Sequence, residues 1–275
     1  MDATATRPRI RLVALDVDGT LLDSQHQVTE GVRGVIREAV GAGLKIALAS
    51  ARGPSGLRPV ARRLGIEGHA VAFSGALLCR IGASPPAEVL GSRCLELEPA
   101  RLVARRARDM DISVGWWDLE QWSVFALDGP ARREAAIIEV EPRVEDLCTL
   151  ARAPFKLQCM VPVDAIERLV ALRAELPPGC VGQFSNPNYF EVFSPGTDKA
   201  HAVLELGALL GCAPEEIAAI GDGENDVAML GAVGLGVAVA NARPAVRAAA
   251  AWVTASNDED GVAVALHRMR REGLF

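Results

Sequence analysis

Two short acidic clusters carry most of the chemistry legible in this sequence. The first, Asp16-Val17-Asp18-Gly19-Thr20, follows an apolar run that ends at Leu15; the second, Gly221-Asp222-Gly223-Glu224-Asn225-Asp226, follows the apolar run Ile217 to Ile220. In the first cluster, two carboxylates one residue apart, with a glycine that permits a sharp turn, can supply a nucleophile and an acid/base that share a cation. The competing reading is a polar turn in which Asp18-Gly19 only reverses the chain. In the second cluster, three acids and an Asn within five positions suit a hard cation, because crowded carboxylates repel one another until a metal or a base neutralises them. An EF-hand is excluded for the first cluster, whose glycine falls fourth rather than sixth and which has no Glu at the twelfth position. The dinucleotide fingerprint fails at the second, where Asp226 stands in place of the third glycine, and a GxxxxGK[ST] loop occurs nowhere.

Two single residues extend the set. Ser50 closes an apolar run in Ala49-Ser50-Ala51-Arg52, and Lys199 follows Gly196-Thr197-Asp198. A hydroxyl and backbone amides at a strand end can hold a phosphoryl oxygen, and an ammonium can offset its charge. Each also has a plain structural reading, Ser50 as a turn cap and Lys199 as a solvated residue at a helix start. Ser50 lacks the flanking glycines of a nucleophile elbow, which argues against a serine hydrolase. Lysine is scarce: of 29 basic residues only Lys45, Lys156 and Lys199 are lysine, which makes a surviving lysine a candidate for a position where arginine does not serve.

Residues so far apart in sequence need a scaffold that ends several strands on one edge. The first eighty residues alternate short apolar runs with helical patterns: strands at Arg11 to Val17, Leu44 to Ala49 and Ala70 to Phe73, and helices at Thr29 to Ala42 and Pro54 to Leu64, each stopped by a glycine. The last eighty repeat the rhythm, with a helix from Thr197 or Asp198 to Gly211, strands at Ile217 to Ile220, Leu235 to Val239 and Trp252 to Thr254, and a closing helix from Gly261 to Met269. This alternation predicts an α/β fold, a doubly wound, Rossmann-like parallel sheet whose strand ends bear the acidic clusters. Between the two halves the texture changes, with Trp116, Trp117, Trp122 and the only tyrosine among alternating strand patterns at Trp122 to Leu127 and Phe155 to Val161 and helical patterns at Ala100 to Met110 and Ala165 to Leu176. The expected organisation is a catalytic core of residues 1–81 and 196–275 with an inserted α+β cap domain, residues 82–195.

The order of these features, DxDGT after the first strand, Ser after the second, then Lys, then GDxxND, resembles the haloacid dehalogenase-like superfamily and within it the Cof-type sugar phosphatases. The stretches VALDVDGTLLDS, GTDKAHAVLELGALLG, IAAIGDGENDVAMLGAVGLGVAVANA and TASNDEDGVAVAL carry the resemblance over nearly the whole chain. It implies an Mg2+-dependent phosphatase that acts on a small phosphorylated metabolite, a sugar phosphate by class, through an aspartyl-phosphate. By that resemblance Asp16 is nucleophile and metal ligand. Asp18 is the acid/base and gives the metal its backbone carbonyl, Asp222 is a metal ligand, and Asp226 acts on the metal through water. Val17 and Ala51 through their backbones, with Ser50, Lys199 and Asn225, hold the phosphoryl group. Two departures stand out: the family's Thr-Gly-Arg is Ser50-Ala51-Arg52, and its Asn-Gly after the third strand is Ser74-Gly75, which puts the Asn contact in question. The same fold also carries phosphotransferases and mutases, and a third reading is a non-catalytic phosphometabolite-binding protein.

The remaining features bound these readings. A net charge of −6 argues against nucleic acid or a membrane surface as partner. No signal peptide or spanning segment is apparent, the six cysteines form no CxxC pair, and the four histidines are isolated. A cytoplasmic protein is expected, of undecided oligomeric state. Trp116, Trp117 and Trp122 read either as strand residues packing a core or as a stacking platform for a sugar ring. Arg101, Arg105, Arg106 and Arg108 read as the solvated face of a helix, and Ser256 to Gly261 as a capped helix start.

Overall fold

Residues 9–275 are described by the structure, a computed structural model. The alternating pattern of the first half yields β1 (Leu12–Asp16), α1 (Glu30–Gly41), β2 (Lys45–Ala49), α2 (Pro54–Leu64) and β3 (Gly68–Ala72). Thr29 caps α1, its hydroxyl accepting from Val32 N at 3.2 Å, and α2 opens on Pro54 and closes on Gly65 in the left-handed conformation. An antiparallel hairpin follows, β4 (Leu77–Ile81) and β5 (Glu88–Ser92). The chain then forms α3 (Leu97–Asp109), β6 (Ser113–Trp117), β7 (Trp122–Val124), α4 (Gly129–Ile138), β8 (Arg143–Val144), β9 (Lys156–Met160), α5 (Ile166–Ala174), β10 (Val181–Asn186) and β11 (Tyr189–Phe193). It returns through α6 (Lys199–Leu209), β12 (Ile217–Gly221), α7 (Val227–Ala232), β13 (Leu235–Ala238), α8 (Pro244–Ala249), β14 (Trp252–Val253) and α9 (Gly261–Arg271).

Two sheets result. The first runs β14-β13-β12-β1-β2-β3-β4-β5, parallel except for its last two strands, and the second runs β10-β11-β9-β6-β7-β8. Strands β1 and β12 are buried at every position, as a sheet covered by helices on both faces requires. The parallel sheet and its flanking helices are the α/β architecture expected from the alternation. The chain leaves the first sheet later than the expected division at residue 82, because Glu88–Ser92 pairs with β4. That hairpin escapes the sequence pattern because β5 is an edge strand, partly exposed and without an apolar face.

The second sheet has its own apolar layer: α3 and α5 pack Val103, Ala107, Leu169 and Leu172 against Val114, Trp116, Leu157, Cys159, Phe190 and Val192. The alternate positions, Trp117, Lys156, Gln158 and Glu191, point to the other face and toward the first sheet. Trp116 and Trp122 are fully buried and Trp117 nearly so, with Trp117 and Trp122 stacked at 5.0 Å. The tryptophans therefore pack the fold, and the stacking platform is not formed. Arg105 and Arg108 are exposed on α3, the solvated face expected of that run.

Candidate active site

The strand order places β12, β1 and β2 side by side and parallel, so their carboxyl ends lie on one edge. Asp16 is the last residue of β1, Ser50 the first beyond β2 and Asp222 the first beyond β12. Neighbouring strands about 4.8 Å apart thus bring three distant residues together. The turn after β1 depends on Gly19, whose φ is +83° and whose missing side chain matters: a Cβ there would stand 2.7 Å from Asp222 Oδ2. Thr20 Oγ1 donates to Asp222 Oδ1 at 2.8 Å, and Asn241 Nδ2 donates to Gly19 O at 2.7 Å. The first bond fixes the turn against the second acidic loop, and the second ties it to the loop that follows β13.

Lys199 is the first residue of α6, and its buried ammonium donates to Asp16 Oδ1 and to Asp226 Oδ1, both at 2.7 Å. Asp226, wholly buried, also accepts at Oδ2 from the amides of Asp222 (3.0 Å) and Gly223 (2.9 Å). It shapes the loop that carries Asp222. Carboxylate oxygens of Asp16, Asp222 and Asp226 lie within 4.8 Å of one another, so three acids face one ammonium. Burial, together with Asp226 and Asp222, pushes the Asp16 carboxyl well above its ordinary range despite Lys199. Asp222 is raised chiefly by burial and in part by Asp226, against the Thr20 hydrogen bond. Burial opposes the charge on Lys199, but Asp16 and Asp226 outweigh it and hold its pKa above the usual value.

This excess negative charge, offered entirely through oxygen, fits a small divalent cation of the Mg2+ type. Asp16 and Asp222 are the carboxylates best disposed to hold it, since Asp226 already receives three donors. Asp18 lies outside the trio. Its half-exposed side chain points to the open side of the site, where Arg52 grips it with Nε on Oδ2 at 2.9 Å and a terminal nitrogen on Oδ1 at 2.6 Å.

Ser50 is buried at the site edge, its Oγ accepting from Arg52 N at 3.1 Å. Val17 is buried, Ala51 lines the site, and Asn225 lies exposed on its rim. Ser74 sits in the left-handed region with φ +55°, its buried Oγ without a partner; the loop is tied instead by Ser74 N to Ser50 O at 2.9 Å. A cavity of about 1040 Å³ opens above Asp16 between the two sheets, lined by Asp18, Ser50 and Arg52 on one side and Lys156, Gln158 and Glu191 on the other. Three participants escaped the sequence reading: Thr20 and Arg52, though both lie inside the motifs, and Glu191, which no motif marks.

Similarity to known proteins places the chain in a family. The family model described as haloacid dehalogenase-like hydrolase matches residues 13–266. A Haemophilus influenzae protein named "Putative phosphatase" is 32% identical over 264 residues, covering 93% of this chain and 97% of its own. The crystal structure of a haloacid dehalogenase-like hydrolase from Bacteroides thetaiotaomicron superposes with a TM-score of 0.87 at 28% identity, over 95% of this chain and all of that one. A structure described as a subclass IIB sugar phosphatase shares the fold with a TM-score of 0.78 at 23% identity, over 96% of this chain and all of that one. The chain belongs to the haloacid dehalogenase-like hydrolases, among the phosphatases of their Cof-type branch.

Proposed function

We propose that this phosphatase is an Mg2+-dependent phosphomonoesterase that cleaves a small phosphorylated metabolite, a sugar phosphate by class, through an aspartyl-phosphate on Asp16. The observation that carries the reading is the contrast between two carboxylates two residues apart. Asp16 is buried beside Lys199 and Asp222, while Asp18 faces the cavity mouth, so nucleophile and proton carrier are physically separated. Mg2+ held by Asp16, Asp222 and the Asp18 backbone would offset the charge on both the attacking carboxylate and the phosphate dianion.

In the first step a carboxylate oxygen of Asp16 attacks phosphorus, the ester P–O bond breaks, and the carboxylic acid of Asp18 gives its proton to the departing alkoxide. In the second, the Asp18 carboxylate takes a proton from water as that water attacks the phosphoryl group, releasing phosphate and restoring Asp16. Lys199, Ser50, Asn225 and the amides of Val17 and Ala51 hold the phosphoryl oxygens, and Asp226 keeps Lys199 and the Asp222 loop in place. Arg52 must release Asp18 before either proton transfer, because both carboxylate oxygens are engaged. The segment between β5 and α6 acts as the substrate-selecting cap, and the reaction belongs to the cytoplasm.

A panel of phosphate esters assayed with Mg2+, with EDTA and with Asp16→Asn tests the reading. Phosphate release is expected only from the Mg2+-loaded parent. Release that survives EDTA or the substitution overturns the mechanism. Isomeric phosphate esters without inorganic phosphate identify a phosphotransferase or mutase, and binding without turnover identifies a non-catalytic phosphometabolite receptor.

A further inference from the structure

The cavity wall opposite Asp16 is a strand face with an unusual content. Antiparallel pairing sets Gln183 of β10 opposite Glu191 of β11, Glu191 opposite Gln158 of β9, and Gln158 opposite Gly115 of β6. Three polar side chains therefore form one row across the inner face of the inserted sheet, and all three line the cavity. Glu191 is 2% exposed and Gln158 3%. Glu191 Oε1 accepts from Lys156 Nζ at 2.6 Å, but its Oε2 is buried with no hydrogen-bond partner. Gln158 Nε2 has only the sulfur of Met160, at 3.7 Å, as an acceptor.

At the far end of the row the indole N–H of Trp117 is also buried and unpartnered. Glycine at 115 leaves it room, since a Cβ there would come within 3.1 Å of Trp117 Nε1. Buried polar atoms are nearly always paired in folded proteins, so an idle acceptor and an idle donor on one cavity wall point to a ligand that supplies both complements. A hydroxyl does so, because it donates and accepts. The row also stands at a defined place relative to the phosphoryl loop: Lys156 donates to Ala51 O at 3.0 Å while it holds Glu191.

From this arrangement we propose that Glu191, Gln158 and Gln183, with the indole N–H of Trp117, are the specificity-determining residues of the cavity and bind the hydroxyl groups of a polyhydroxylated leaving group. The proposal rests on the phosphomonoesterase reading and adds the residues that select the alcohol. Lys156 neutralises Glu191, so the row presents hydrogen-bonding groups to a neutral polyol. An unbranched hydrocarbon ester would leave Glu191 Oε2 and Trp117 Nε1 as they are and gain nothing from the row.

The test uses two esters with the same carbon skeleton, ribitol 5-phosphate and pentyl phosphate, on the full chain with Mg2+. The ratio of their kcat/KM values is the readout, and the wild type is expected to favour ribitol 5-phosphate at least tenfold. Glu191→Gln and Gln183→Leu should each cut that ratio several-fold, the second at an exposed position where folding is not at stake. The ratio of dissociation constants of the same two esters for Asp16→Asn protein, by calorimetry, should fall in the same way when either row substitution is added. A wild-type ratio near one, or a ratio unmoved by both substitutions, overturns the proposal. If no ester is turned over, the phosphomonoesterase reading falls, and the calorimetric ratio alone still decides the role of the row.

Discussion

Replacing Lys199 by methionine removes a charge while roughly keeping the length of the side chain, and the structure sets the expected scale. The Lys199 side chain is 1% exposed, and its ammonium holds two carboxylates at 2.7 Å each. Breaking a buried ion pair by deleting one partner costs about 3–5 kcal/mol. At roughly 2–4 °C per kcal/mol for a chain of this size, Tm should fall by about 6–20 °C. On the proposed mechanism turnover should fall further than stability explains, because Lys199 is the group assigned there to offset phosphoryl charge; deleting one such preorganised donor lowers kcat by about 10²- to 10³-fold. Lys199→Arg separates charge from shape. It keeps the cation but forces a broad guanidinium into a fully packed position, at a cost of about 1–3 kcal/mol, so Tm should drop less while kcat falls just as severely. Thermal unfolding by circular dichroism and phosphate release from p-nitrophenyl phosphate under saturating Mg2+ measure both. A methionine variant that melts within about 2 °C of the parent, or an arginine variant with near-normal turnover, would refute the argument that a compact buried ammonium is required.

Other perturbations probe the surrounding contacts. Gly19→Ala places a Cβ against Asp222 in a left-handed turn, and calorimetry should read Mg2+ affinity weakened by about tenfold, or ~1.4 kcal/mol; unchanged affinity would mean that Asp222 does not hold the cation. Glu120→Ala strips the partner from Arg58, a two-pronged pair at 2.7 and 3.1 Å that joins α2 to the β6–β7 turn. A loss of about 2–4 kcal/mol is expected, with faster amide exchange in β7, and unaltered exchange would count against a joining role. The pH response follows from the raised Asp16 carboxyl. Between the ordinary carboxylate range and the raised folded value the native state holds the extra proton, so the contribution of Asp16 to stability is greatest at low pH and is lost as pH rises. In EDTA, the Tm of Asp16→Asn minus that of the parent should therefore increase from pH ~4 to ~7, and a constant difference would show that Asp16 is not held in an unfavourable charged state.

What the sequence disclosed follows from how local each feature is. Thr29, Pro54 and Gly65 punctuate helices through their own backbone preferences, so the boundaries of α1 and α2 were legible within a residue or so. The acidic clusters were legible because each directly follows a buried strand, and parallel pairing then has little choice but to gather their ends. The grip of Arg52 on Asp18 spans 34 residues, and that of Lys156 on Glu191 spans 35, with no periodicity to signal either. Asp226 shows the same limit from the other side: its type marked it for a place near a cation, where it does lie within 4.8 Å of Asp16 and Asp222, but not the three hydrogen bonds it receives from Lys199 and from the amides of Asp222 and Gly223. Helix α4 and the hairpin β10–β11 lie in the stretch where strand and helix patterns mix, and their assignment came only with the tertiary packing.

The excursion starts just after β5 and ends just before α6 at nearly one point, where Arg93 donates to Gly196 O at 2.5 Å. Joining those two points through a random coil of the intervening length would cost about 4 kcal/mol in closure entropy. The intervening residues avoid much of that cost, because their separate apolar layer folds them back and returns both ends to the same place. For the catalytic sheet the long excursion is thus equivalent to a tight surface loop. The register that sets Asp16 beside Asp222 comes from the pairing of β1 with β12, and the excursion reaches that sheet through side-chain ties such as Arg58 to Glu120 and Lys156 to Ala51 O, so the cavity wall it supplies can vary in sequence where those ties are kept.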